Sequence, residues 1–169
     1  RFRHSGGMAY VVAAAGIAAW RARGSNAALG LGVLGLLFTF FCAYFFRDPD
    51  RPLPQDPSGL YSPGDGVVMS VGREGPGDVW TVRIFLSVFD VHVQRLPCSG
   101  PVRKIQYKQG SFVAAMKQPE SFFNERNIVS IDCAGRGVVV VEQIAGIIAR
   151  RIRWWIQEGD TAVAGERYG

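Results

Sequence analysis

Residues 27–46, AALGLGVLGLLFTFFCAYFF, run for 20 positions without a charge. At about 1.5 Å per residue, a helix of that length reaches roughly 30 Å, the hydrocarbon thickness of a bilayer. Aromatic residues gather at its end, where Tyr44, Phe45 and Phe46 meet Arg47, as side chains do at a membrane–water interface. A buried core helix is the weaker alternative, because a domain this small seldom buries so long an apolar run. A shorter run, residues 6–20 (GGMAYVVAAAGIAAW), comes first. It is marginal for a span and suits a tilted, re-entrant or interfacial helix, or the apolar part of a cleaved signal peptide. The short connector RARGSN makes two helices here an antiparallel hairpin. Arg1 and Arg3 share a side with Arg47 and Arg51, opposite Arg21 and Arg23, which favours both chain ends in the cytoplasm.

The charge follows the same division. The 169 residues carry 19 Lys+Arg against 14 Asp+Glu, a net +5. Residues 1–47 hold five arginines and no acid, so residues 48–169 balance 14 basic against 14 acidic residues. A nucleic-acid reader needs its basic stripe on the folded domain, so no nucleic-acid partner is expected. A hydrophobic content of 48% also excludes a disordered chain.

Residues 47–59 (RDPDRPLPQDPSG) contain four prolines, which disfavour helix and predict a stiff, extended tether. The division expected is a membrane-anchoring helical hairpin at 1–46, a Pro-rich linker at 47–59 and a β-rich domain at 60–169. Branched and aromatic runs at 67–71, 79–86, 91–95, 102–107, 128–133, 137–148 and 152–156 predict strands. PGDG, REGPGD, PCSGP, KQG, AGRG and EGD supply the turns between them. Residues 111–125 break the pattern and suit a short helix or an irregular apolar loop. The fold class is mainly β, a small barrel-like domain with loop and short-helix insertions, preceded by the α-helical membrane hairpin. Near the C-terminus Gly159 permits a tight turn, Val163 is expected to point inward, and Gly165 makes a second turn. That pattern is similar to the barrel-sandwich fold of biotinyl and lipoyl carriers, one residue off the common spacing. Ala115-Met116-Lys117 also resembles a biotin acceptor, but Gly159 lies 42 residues beyond Lys117, too far for that motif's hairpin.

Few residues are equipped for chemistry. His4 lies in the basic N-terminal tail, so His92 is the one imidazole of residues 48–169. On strand alternation it shares a face with Asp90 and Gln94, and a solvent-facing strand histidine is the bland alternative. Asp65, in SPGDG, is by default a turn residue capping its own backbone, although a carboxylate between glycines is also able to approach another backbone closely. Cys42, Cys98 and Cys133 are odd in number and far apart, so neither a zinc site nor a disulfide framework is indicated, and no metal is expected. Arg150, Arg151, Arg153, Trp154 and Trp155 form the densest basic-aromatic cluster. It is either a solvated strand face with packed indoles or a membrane contact, Arg at anionic head groups and Trp at head-group depth.

Six stretches together resemble the β chain of a short, membrane-anchored bacterial phosphatidylserine decarboxylase. They are FFRDPDRP at 45–52, SPGDGVV at 62–68, FLSVFDVHVQR at 85–95, FFNERN at 122–127, QIAGIIARRI at 143–152 and EGDTAVAGERYG at 158–169. Each is short, but their order and spacing are specific, and the resemblance they carry spans residues 45–169.

The resemblance implies a pyruvoyl enzyme that decarboxylates phosphatidylserine to phosphatidylethanolamine. In this family the precursor cuts itself between Gly and Ser, and the Ser becomes a covalent pyruvoyl group on a small α chain. That serine is not among these residues, so a small α chain from the same precursor is an expected partner. The ketone forms a Schiff base with the substrate amine and takes up electrons as CO2 departs. His92 falls on the histidine associated with decarboxylation, as proton donor, and Asp65 on the aspartate implicated in self-cleavage. Longer family members carry a second histidine three positions later; here that residue is Arg95, assigned instead to the substrate phosphate or carboxylate. The other expected partners are phosphatidylserine and the lipid bilayer, with a homo-oligomer left open. The expected location is the inner membrane, with the catalytic domain on its cytoplasmic side. The competing reading is a non-catalytic, membrane-anchored barrel-sandwich adaptor, which gives no reason for DVHV and NERN to occur together.

Overall fold

A computed structural model of the chain describes residues 11, 14–21, 24, 26–52, 59–75, 77–114 and 120–169. It divides into two units, Arg1–Arg47 and Asp48–Gly169. His4, much of the first apolar run, residues 53–58 of the Pro-rich stretch and the Ala115-Met116-Lys117 segment lie outside the described residues.

In the first unit, α1 (Asn26–Phe45) is one helix of 20 residues. Its mean hydropathy reaches 2.1, and by length and composition it is able to cross a membrane. Leu31, Leu34, Leu37 and Phe40 are exposed around it. Residues 14–21 are helical too, and a Cβ at Gly16 would lie 2.8 Å from Gly32 Cα of α1. Two backbones approach this closely only where both residues are small. Past the end of α1, the Arg47 guanidinium stacks 3.9 Å above the Tyr44 ring and donates to Tyr44 O at 3.0 Å. That places a cation on the carbonyl-rich helix end.

The second unit is mainly β. Strands β1 (Val67–Glu74) and β2 (Val79–Phe85) form an antiparallel hairpin with an irregularity between Val68 and Ser70. A four-stranded sheet has the order β5-β4-β3-β6, built from β3 (Gly100–Lys108), β4 (Arg126–Cys133), β5 (Gly137–Ile144) and the short β6 (Thr161–Ala162). β4 alternates strictly, burying Asn127, Val129, Ile131 and Cys133 and leaving the residues between half-exposed. These join Leu96, Cys98, Val102, Val141, Ala162 and Tyr168 in the core.

Four expectations need correction. Residues 91–95 are not a strand: only Arg95 pairs, in an isolated bridge with Arg167. Residues 152–156 form no strand either. Val163 points outward at 53% exposure, while its neighbour Ala162 fills the core at 1%. Cys98 and Cys133, 35 residues apart, are joined in a disulfide with their Cα atoms 6.0 Å apart. Between β3 and β4 lies a 3-10 turn, Glu120–Phe123. It leads into Asn124, whose amide holds Val113 N and O and Ala145 O.

Candidate active site

Three separated stretches meet in the second unit. The first is the turn at 63–66 that carries Asp65. Gly66 adopts φ 133°, where a Cβ would collide with Phe85 O, so glycine is required for this turn to close against β2. The Asp65 carboxylate receives the Arg51 guanidinium at 2.6 Å. The second stretch follows β2. Residues 87–90 form a turn closed by Asp90 N on Ser87 O (3.0 Å) and fastened by Ser87 N on Asp90 Oδ2 (2.7 Å). This turn holds Asp90 O for His92, whose Nδ1 lies 3.0 Å away. A carbonyl only accepts, so Nδ1 carries the proton and the lone pair of the neutral ring falls on Nε2. His92 is half-buried.

The third stretch is residues 165–169, which run beside 94–96. Gln94 N donates to Gly169 O (2.6 Å), Tyr168 N to Gln94 O (3.0 Å), Leu96 N to Glu166 O (2.9 Å) and Gly165 N to Leu96 O (2.8 Å). Arg95 N donates to Pro63 O at 2.8 Å, which ties the Asp65 turn to the same ladder. The structure therefore brings the motifs carrying Asp65, His92 and Gly169 into one hydrogen-bonded assembly.

Arg95 lies inside that assembly. Its guanidinium donates to Gly165 O and to Pro49 O, both at 3.0 Å, and approaches Asp48 at 3.5 Å. Arg167 pairs with Asp48 at 2.7 Å and Asp50 at 2.9 Å, and both carboxylates hold its guanidinium pKa above the usual arginine value. Residues 48–50 are thereby fastened onto the 165–167 segment.

Gly169 has a polar floor. A Cβ there would lie 2.6 Å from Gln143 Nε2 and 2.7 Å from Arg153 O. Gln143 Oε1 accepts from Asn127 Nδ2 at 3.0 Å, across the β4–β5 register. Among the described residues Asn127 Oδ1 is buried with no partner, an arrangement proteins seldom tolerate away from a functional centre. Tyr168 is fully buried, and its hydroxyl donates to Gln94 Oε1 at 3.0 Å. Burial pushes its phenol pKa well above the usual tyrosine range.

The basic-aromatic cluster splits. Arg150 stacks over Phe112 at 4.6 Å, and Trp154 stacks on Tyr107 with centroids 5.6 Å apart. Trp155 is 55% exposed. Arg151 and Arg153 line an open cleft of about 370 Å3 together with Tyr107, Glu125, Ile152 and Trp154. Gln94, Asn127, Gln143 and Tyr168 were not singled out from sequence, although all four lie inside the six motif stretches.

Comparison with known proteins identifies the family. Residues 38–169 match the profile of the phosphatidylserine decarboxylase family. The chain belongs to that family. A phosphatidylserine decarboxylase proenzyme from Solibacter usitatus is 47% identical over 93% of this chain and 72% of its own length. Proenzymes of the same name from Beijerinckia indica and Saccharopolyspora erythraea are 45% and 43% identical over 82% and 83% of the chain. The chain spans 63% of the length of each of those two family members.

Proposed function

We propose that this chain is the larger subunit of a pyruvoyl-dependent phosphatidylserine decarboxylase that releases CO2 and leaves phosphatidylethanolamine. The observation that carries the reading is the ladder linking the Asp65 turn, the segment after His92 and Gly169. Self-cleavage of a precursor and completion by a small partner chain fit the proenzyme names of the relatives. The exposed apolar side chains of the β1–β2 hairpin, Val68, Val71, Trp80 and Val82 among them, are the surface we assign to that partner chain.

The residues around Gly169 fit a small carbonyl-bearing group. Gln143 Nε2 supplies a donor beside Gly169. When bound, the pyruvoyl group supplies a ketone that condenses with the substrate amine and takes up the electrons released with CO2. With its Nδ1 proton held by Asp90 O, His92 presents the Nε2 lone pair, which takes up a proton from solvent to form the imidazolium and then returns that proton to the substrate Cα. Asp65, oriented by Arg51, serves the self-cleavage step. Arg95 and Arg167 keep the 165–169 segment in register, and Arg95 takes no part in proton transfer. The apolar α1 anchors the enzyme in the inner membrane with the β domain on the cytoplasmic side, and the exposed Trp155 faces lipid.

The test is CO2 release by His92→Ala in the full precursor. Turnover is expected to fall at least about 100-fold, while chain cleavage, read on a gel, proceeds at least in part. Undiminished turnover removes His92 from the chemistry.

A further inference from the structure

The cleft beside Gly169 has a charge pattern that proton transfer does not use. Arg151 and Arg153 are two positions apart on the extended segment 151–156, where exposed and half-buried residues alternate, so both present on one side. Among the described residues neither guanidinium has a hydrogen-bond or ion-pair partner. Their neighbour Arg150 is turned away, over Phe112. The far wall is rigid: Tyr107 stacks on Trp154 at 5.6 Å, and the Tyr107 hydroxyl is bonded to Glu125. Two guanidinium charges against one carboxylate leave the cleft with one net positive charge.

The segment that lines the cleft also borders the proposed site. Trp155 N donates to Tyr168 O at 2.8 Å, and Arg153 O lies 2.7 Å from where a Gly169 Cβ would be. The segment carrying both arginines is thus the rung next to the segment ending in Gly169. An aminophospholipid head group has its reacting Cα and its phosphodiester only a few bonds apart, with one negative charge on the phosphodiester. Planar guanidinium forks match phosphate oxygens pairwise, and an aromatic wall suits the glycerol beside them.

We propose that Arg151 and Arg153 bind the phosphodiester of the phospholipid being decarboxylated; the assignment rests on the decarboxylase reading above. It makes the pair a specificity element for a phosphate-bearing substrate rather than a general attachment to anionic bilayers. The experiment uses the full processed enzyme in detergent and a short-chain phosphatidylserine that stays monomeric in water. In R151Q/R153Q, KM for this substrate is expected to rise about 100-fold, what losing two charge-assisted hydrogen bonds implies, with kcat within about two-fold. Inorganic phosphate should inhibit the unmodified enzyme competitively and lose that effect in the variant. An unchanged KM on the monomeric substrate overturns the proposal. If sedimentation with phosphatidylglycerol vesicles falls at the same time, the arginines are surface contacts instead. An equal drop in kcat with KM unmoved also overturns it, as general damage to the site. An unmodified enzyme that releases no CO2 overturns the decarboxylase reading itself, and this one with it.

Discussion

The His92 ring is held by a carbonyl, with Nδ1 3.0 Å from Asp90 O. Asp90, two residues before it, spends its side chain closing the 87–90 turn and offers the ring only its backbone oxygen. That contact fixes the tautomer, with the proton on Nδ1. Behind it, Tyr168 bonds Gln94 Oε1 from a fully buried position. Tyr168→Phe should cost about 1 kcal/mol, read by denaturant unfolding, because Gln94 loses its buried donor. The phenol pKa is raised, so its contribution to stability is complete below the ordinary tyrosine value and is lost as pH rises through the folded value. An ultraviolet phenolate titration should show a late, high-pH phase that Tyr168→Phe removes. Asp65→Asn should slow precursor self-cleavage by about 100-fold or more, measured as the precursor's half-life on a gel. His92 and Asp65 were named because the resemblance places them on motifs of the family, where local pattern alone reads them as an exposed strand histidine and a turn residue. Gln94, Asn127 and Gln143 were not: an amide reads as ordinary strand decoration until the register shows that Asn127 and Gln143 face each other in the core.

Among the elements, β3, β4 and β5 were legible because β-branched residues recur on the face that packs. Ile131, fully buried at the centre of β4, should cost about 2–5 kcal/mol as Ile131→Ala, measured by denaturant unfolding. Residues 91–95 carry the same composition and yet form no strand. Their backbone partners are residues 165–169 and Pro63, which local periodicity does not reveal. The Cys98–Cys133 pairing escaped for a related reason, since a 35-residue separation says nothing until Cys133 is known to point inward from β4. In the β1–β2 hairpin, Arg83 donates to Glu74 at 2.5 Å and holds its carboxyl below the usual glutamate range. A depressed carboxyl pKa contributes stability above its unfolded value, and that contribution is lost as pH falls through the folded one. A carboxyl carbon NMR titration should place the Glu74 midpoint below that of exposed glutamates, and Arg83→Gln should return it.

At the scale of the whole molecule, net charge and hydropathy belong to different units. The +5 resides in residues 1–47, around an apolar helix whose exposed leucines have no partner in water, while residues 48–169 are electrically balanced. A Lys at the centre of a membrane helix costs about 2.5–3.5 kcal/mol. L34K/L37K on α1 should therefore move the protein from the membrane pellet to the soluble fraction on centrifugation. The catalytic account concentrates on what surrounds Gly169: a donor from Gln94 and a floor of Gln143. The most direct measurement is the intact mass of both chains from the purified, full-length gene product, before and after borohydride reduction in the presence of phosphatidylserine. The account predicts a second, small chain whose N-terminus has the mass of a pyruvoyl group and which gains the mass of the trapped lipid amine. A single uncleaved chain with no reducible carbonyl, from a preparation that nonetheless releases CO2, would contradict it.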